Sequence, residues 1–278
     1  MKTNALAIFA LTSALATTVN VHAAPGEPEI VLGSVAMDTP AVMHRKLTPL
    51  AEYLTAKTGL TVEFKPNLNL KAAVDDIANG VTSISYLTPI AYVDAHDKNP
   101  KVIPLAAPLT HGIADFTLVI AVEKDSGIRN VGDLKGKSFA YGDPKALVQK
   151  AVVLRSGAKD AEFSKVAHLN HYDNIAKSLL AKEFDAGILK DTKFDEFKPR
   201  GLRELFRSKP IPGYVFAANA NIGEKNLAKL KKALLDIDKQ SAAKLLDGID
   251  SGYTGFTSVT DADYNEIRAL VEPLRSKK

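Results

Sequence analysis

The stretch Lys137-Ser138-Phe139-Ala140-Tyr141-Gly142-Asp143-Pro144-Lys145-Ala146-Leu147-Val148 decides the fold. Its first five residues form a strand-like run, Gly142-Asp143-Pro144 turns the chain, and Ala146 to Leu154 carries an apolar helical pattern. A strand that passes into a helix through such a turn presents unpaired helical N–H groups at its mouth, a ready seat for an anion. Here the first turn offers Lys145, Ala146, Leu147 and Val148, with no hydroxyl among them. The chain has the frame of an anion site without the side chains usually set around one.

Outward from this unit, strands and helices alternate. Glu29 to Val35 reads as a buried strand, followed by a helix capped by Thr39, begun by Pro40 and ended by Gly59, which Pro49 must kink or restart. Thr61 to Phe64 and Ser83 to Leu87 are strands on either side of a helix capped by Asn69 and closed by Gly80. Ile90 to Ala95 looks helical, Phe116 to Val122 is a long β-rich run, and Val131 to Leu134 is a short helix. Val166 to Asn170, Phe184 to Leu189 and Tyr214 to Ala218 read as further strands, with Ile175 to Ala181 helical between the first two. The remainder reads as helical. This order predicts an α/β fold with largely parallel sheets. No simple domain boundary is visible, as expected of two lobes joined by strands that cross twice. Phe116–Val122 and Tyr214–Ala218 are the candidate crossings.

The N-terminus reads as a secretory signal: Lys2, a short apolar stretch from Ala5 to Ala16, and small residues around Val21-His22-Ala23. Cleavage there leaves 255 of the 278 residues, enough for one large unit or two lobes. The apolar stretch is too short to span a bilayer. A formal net charge of +4 is too small to imply nucleic acid or a membrane surface as partner. The absence of Cys excludes disulfides, thiolate metal sites and Cys nucleophiles. The expected location is the periplasm.

Segments along nearly the whole chain resemble the phosphate/phosphite/phosphonate-binding branch of the periplasmic substrate-binding proteins of ATP-driven uptake systems. The matching stretches are Leu47 to Leu54, Ile84 to Tyr92, Glu123 to Ile128, Asp133 to Lys137, Tyr141 to Pro144 and Pro210 to Gly213. The resemblance implies a type II periplasmic binding fold, two lobes of mainly parallel sheet flanked by helices, closing on a ligand. It divides the chain into a signal peptide (1–23), lobe 1 (24–115 plus 217–278) and lobe 2 (116–216). It puts the family's Tyr-Leu-Gly-Pro tyrosine on Tyr86, with Thr88 in place of Gly, and its oxyanion seat, Gly-Asp-Pro-x-Ser-Thr-Ser-Gly, on Gly142 to Gln149. The Ser-Thr-Ser trio is replaced by Ala146, Leu147 and Val148, and the last Gly by Gln149. The family's cleft His falls on Tyr172, with His171 one place early.

The ligand-binding candidates are therefore Tyr86 and Thr88 from the first lobe, and Tyr141, Asp143, Lys145, Ala146, Leu147, Tyr172 and Lys190 from the second. Asp143 is expected to cap the helix rather than meet an anion. Three charge-assisted donors are worth on the order of 4–9 kcal/mol together, so their loss disfavours a tightly bound phosphonate dianion. Three readings stay open. The guest has an apolar part against Leu147 and Val148 and polar ends at Tyr86, Thr88, Tyr141 or Tyr172. Alternatively it is a smaller anion held by backbone N–H groups, or the cleft has exchanged capture for a partner such as a sensor kinase's outer domain.

His168-x-x-His171-x-Asp173 matches no metal motif, His96 and Asp97 read as structural, and His111 and Asp115 are candidates to line the cleft. There is no Gly-x-Ser-x-Gly, no GxGxxG and no P-loop, so binding rather than catalysis is expected, without metal or cofactor. The expected partner is the permease of an ABC transporter, or alternatively a sensor kinase's periplasmic domain, contacted by a soluble monomer.

Overall fold

The computed structural model describes residues 30–142, Pro144 and residues 147–276. The proposed signal segment lies outside the described residues. The chain begins with β1 (Ile30–Ser34), α1 (Pro40–Thr58), β2 (Val62–Phe64), α2 (Leu70–Asn79), β3 (Ile84–Leu87), α3 (Pro89–Lys98) and β4 (Val102–Thr110). It then crosses through β5 (Asp115–Phe116) into β6 (Leu118–Glu123), β7 (Ser138–Tyr141), α4 (Leu147–Arg155), β8 (Lys165–His168), α5 (Tyr172–Leu180), β9 (Ala186–Lys190), α6 (Asp191–Phe197) and β10 (Leu202–Arg207). It returns through β11 (Ile211–Pro212) to β12 (Val215–Asn219), α7 (Glu224–Leu235), α8 (Lys239–Ile249), β13 (Tyr253–Thr257) and α9 (Asn265–Arg275).

Two sheets result, a six-stranded one in the order β13-β4-β12-β3-β1-β2 and a five-stranded one in the order β10-β6-β9-β7-β8. Each is mixed rather than mainly parallel. The βα units β2-β1-β3 and β9-β7-β8 are parallel, while β12, β4 and β13, and likewise β6 and β10, run antiparallel to their neighbours. Apart from β13, the antiparallel members are the strands on which the chain leaves one lobe or re-enters it. Between the lobes, β5 and β11 pair as a two-stranded ribbon, Ile211 with Phe116 and Pro212 with Asp115. The crossing ribbon thus takes in Phe116, the start of Phe116–Val122, whose later residues are β6 of the second lobe, and lies just before Tyr214–Ala218.

The region read as uniformly helical contains β13, whose Gly255 at φ 151° disguises a short strand. β4 was hidden by Pro104 and Pro108; Pro104 faces Ala217 where the register slips, a place where a missing N–H is tolerated. α1 runs unbroken through Pro49, and Gly59 ends it in the left-handed conformation. Thr39 makes no side-chain cap, whereas Asn69 accepts the Ala72 N–H of α2. α9 joins the lobes, because its Ile267, Leu270 and Val271 lie in one buried cluster with Ala91 and Ala95 of α3 and with Ala151 and Val152 of α4. Glu266 pairs with Arg155 on one side, and Arg275 pairs with Asp94 on the other. Within residues 217–278, α9 thus packs on the second lobe as well as on the first.

The Asp133-Leu134-Lys135-Gly136 segment has a local physical reason. The Asp133 carboxylate accepts the N–H groups of Arg129 (2.7 Å) and Asn130 (3.0 Å), and Gly136 takes φ 73° to leave the short helical turn. The Arg129 N–H, then that of Asn130, holds this carboxyl below the usual carboxylate range. A depressed folded pKa contributes stability at neutral pH that is lost as pH falls through it. Asp133→Ala is expected to destabilise the protein at pH 7 and to converge on wild type in acid. Denaturant titrations across pH that show a constant difference would contradict this.

Candidate functional site

Most of the parallel strands end, at their C-terminal edges, on a cleft of about 840 Å³ between the lobes. From the first lobe it is lined by Val35, Ala36 and Met37 after β1, by Leu68 to Leu70 entering α2, by Thr88 to Ile90 entering α3, and by Asp250 and Tyr253 beside β13. The second lobe supplies Leu147, Val148 and Gln149 of α4, Asn170 and His171 before α5, Tyr172 in its first turn, and Lys190 at the end of β9. Asp115, Phe116, Gly213 and Tyr214 of the crossing form the floor.

Four helices of nine or ten residues, α2 to α5, direct their N-termini here. Each brings the positive end of a helix dipole, and Asn69 and Thr88 each accept one first-turn N–H, of Ala72 and Ala91. Thr88 caps α3 by accepting the Ala91 N–H at 3.3 Å, which leaves its own proton for the cleft. Among the described residues lining the cleft, Lys190 is the one Lys or Arg; its ammonium lies 5.5 Å from the Phe116 ring centroid, a cation–π contact. Opposing it are the carboxyl groups of Asp115 and Asp250. Burial, and then Asp263, raises the Asp115 pKa.

The predicted residues separate into three groups. Thr88, Leu147, Tyr172 and Lys190 do line the cleft, as does Val148. Asp143, Lys145 and Ala146 lie outside the described residues. Tyr86 and Tyr141 are not in the wall, and both expectations need correcting. Tyr86 is 2 % exposed, stacked between Tyr214 (5.0 Å) and Phe216 (4.7 Å) on one face of the six-stranded sheet, with its hydroxyl bonded to that of Tyr253. Burial raises its pKa far above the ordinary value. Tyr141 is buried against Phe139 and His168 and donates its hydroxyl to Asp160. Strand alternation sends both rings into a core, and only a neighbour reaches the opening.

Those neighbours are the residues the sequence did not reveal. Tyr253 takes Tyr86's place in the wall but sits on the strand concealed by Gly255. Tyr214 faces Tyr172 across the cleft; burial, with Tyr172 and Asp250 adding to it, pushes its hydroxyl up to about 12. Gln149 is buried at 6 % exposure. Its side-chain carbonyl accepts the Gly142 N–H at 2.8 Å, and its amide donates to the Tyr172 hydroxyl at 3.1 Å. The substitution of Gln for Gly was visible in the sequence, but the bonds it makes were not.

Behind the first-lobe wall, Asn67 accepts the Ser34 N–H at 3.0 Å and donates to Asp76 at 2.6 Å, which anchors the loop carrying Leu68. Leu68 is 88 % exposed on the rim. Of the His-rich segment, His171 alone reaches the cleft; His168 stacks on Tyr141 and Asp173 pairs with Lys193 at 2.6 Å. His96 donates its Nδ1–H to the Val102 carbonyl at 2.8 Å, a structural contact. Asp115 lines the cleft, while His111 sits outside it in a turn at φ 51°. Among the described residues no group of three or more His, Asp or Glu is placed to hold a metal, and no helix is long and apolar enough to cross a membrane.

This geometry has relatives. The chain is 27 % identical to a phosphate-import protein of Mycolicibacterium smegmatis over 92 % of this chain and 89 % of that one. Its fold matches a Prochlorococcus marinus protein solved with methylphosphonate (TM-score 0.71, 19 % identity, 89 % of this chain and 98 % of the other). It also matches a Xanthomonas citri protein solved with chloride (TM-score 0.74, 20 % identity, 90 % and 99 %). At such identities the two structures speak to the fold. The family profile described as "ABC transporter, phosphonate, periplasmic substrate-binding protein" matches residues 32–264. A match over most of the length, on two lobes with a cleft between them, makes this chain a member of the phosphonate ABC transporter periplasmic substrate-binding protein family.

Proposed function

We propose that this protein, exported by its N-terminal signal and acting as a single copy, captures a small organic anion. The guest carries one negative charge beside an apolar body, and the lobes close on it for delivery to the permease of an ATP-driven importer. The observation that carries this reading is the convergence of four helix N-termini, Lys190 and donor hydroxyls on a cleft whose walls also carry Leu, Ile, Val, Pro and aromatic residues, with Asp115 and Asp250 as its carboxylates. Oxyanions are also what the relatives suggest, since one is a phosphate importer and another was solved with methylphosphonate.

The charge balance argues for a single negative charge. Lys190 is offset by Asp115 and Asp250, and the family's three seat hydroxyls are absent. A dianion would enter without enough donors to replace its hydration, which costs several kcal/mol per unpaired group. An apolar substituent gains instead from burial against Leu147, Val148, Phe116 and Ile90, at about 25 cal/mol per Å². Closure follows because contacts to both Thr88 and Tyr172 exist only when the lobes meet, so the guest binds that state better.

A thermal-shift panel of phosphate, methylphosphonate, benzenesulfonate, benzoate, neutral sugars and cationic amines tests this. Benzenesulfonate or benzoate is expected to raise Tm more than phosphate does. Stabilisation confined to neutral or cationic solutes would sink the proposal.

A further inference from the structure

We infer that a pocket of about 320 Å³ beside the crossing is a second binding site, taking a small primary ammonium compound. It lies between the β5–β11 ribbon, the chain that follows β13 and the first turn of α9. Ala114, Asp115 and Gly213 line both this pocket and the cleft, so the two share the crossing as a common wall. It is a site apart from the cleft and stands whatever the cleft holds.

Charge selects the guest. The carboxyl groups of Asp115, Asp263 and Glu266 line the pocket, and no Lys, Arg or His stands among its described lining residues. Glu266 is already paired with Arg155. Asp263 accepts the Thr260 N–H at 2.7 Å and the Thr260 hydroxyl at 3.0 Å, and neither bond uses Oδ1. Asp115 makes no hydrogen bond or ion pair among the described residues, and the charge that acts on it is Asp263, of its own sign. Two like charges acting on each other favour a cation between them.

The second observation is Tyr264. Its side chain lines the pocket yet is fully buried, and its hydroxyl has no hydrogen-bond partner. Burial, then Asp263 and Asp115, raises its pKa, so the hydroxyl end of the ring lies in the field of those two carboxylates. A buried hydroxyl without a partner is a cost to the fold until something bonds it. An ammonium group brings three N–H donors, one each for Asp115, Asp263 and the tyrosine oxygen. The other walls decide the body of the guest: Ala107, Pro210, Pro212 and Val259 offer apolar surface. Among the described residues no group of three or more His, Asp or Glu is placed to hold a metal, so a short alkyl amine fits where a metal ion does not.

Calorimetry at low ionic strength with butylamine, and with butanol as its neutral match, tests this on the intact protein. Butylamine is expected to bind and butanol is not. Asp263→Asn, which keeps an oxygen for the Thr260 N–H, should weaken butylamine by roughly ten- to a hundredfold, and Tyr264→Phe by about tenfold. Without amine, Tyr264→Phe should be at least as stable as wild type, because it deletes a hydroxyl that has no partner; a loss of stability would show that hydroxyl already satisfied and overturn the inference. Asp250→Asn alters the cleft alone and should leave the butylamine affinity as it is. Absence of butylamine binding overturns the inference, as does binding that Asp250→Asn abolishes or that folded Asp263→Asn and Tyr264→Phe proteins retain in full. None of these outcomes touches the cleft reading, which benzenesulfonate tests in the same proteins.

Discussion

Lys190→Met is expected to weaken binding of benzenesulfonate or benzoate by roughly ten- to a hundredfold. The Lys190 ammonium lies over the Phe116 ring, 5.5 Å from its centroid, and methionine replaces the side chain with an unbranched one of similar length. The substitution therefore removes charge and donors more than packing. Because Lys190 is the one Lys or Arg among the described residues of the cleft wall, nothing described there replaces it. The variant should also lose part of the salt dependence of binding, since a Coulombic contact is screened and an apolar one is not. Calorimetry at low and high salt reads both effects; unchanged affinity in a folded variant would remove Lys190 from the site.

The second large effect is expected at the crossing. Gly213 donates its N–H to the Ala114 carbonyl at 3.1 Å, and a Cβ at Gly213 would lie 2.5 Å from that same oxygen. The obstacle is backbone, so no rotamer relieves it, and the two crossing segments must part. Overpacking of this kind costs about 1–3 kcal/mol. In a chain of this size each kcal/mol lowers Tm by about 2–4 °C. Gly213→Ala should thus lower Tm and also weaken ligand binding, since Ala114, Gly213 and Tyr214 all belong to the cleft floor. Gly248→Ala is the control: nothing lies within 4 Å of its Cβ position on α8, so that variant should be neutral or slightly more stable. A Gly213→Ala protein as stable as wild type would mean that the crossing tolerates separation.

The Pro210-Ile211-Pro212-Gly213 stretch illustrates how much of the fold was legible. Its place in a family motif was apparent, and the structure supplies the reason: Ile211 and Pro212 pair with the outgoing segment, and glycine allows the close approach that follows. The turns at Gly59 and Gly80 and the cap at Asn69 were equally readable, because each depends on one residue's own conformation or one local bond. β4 and β13 were not, since proline, alanine and glycine conceal strands whose existence depends on partners far along the chain.

The site divides along the same line. Thr88, Leu147, Tyr172 and Lys190 stand at helix N-termini or strand ends, where local order already points the side chain toward the opening between lobes. Tyr86 and Tyr141 occupy strand interiors, and which face of a sheet becomes wall and which becomes core is decided by the elements packed on it. By itself the sequence determined the α/β alternation, the membership of a binding-protein family and the loss of the seat hydroxyls, because these follow from local pattern and residue chemistry. Only the tertiary structure decided that Tyr253 replaces Tyr86 in the wall, that α9 spans both lobes and that Gln149 occupies the Gly142 N–H. Each of these is a contact between segments, and its energy exists only once distant parts of the chain have been brought together.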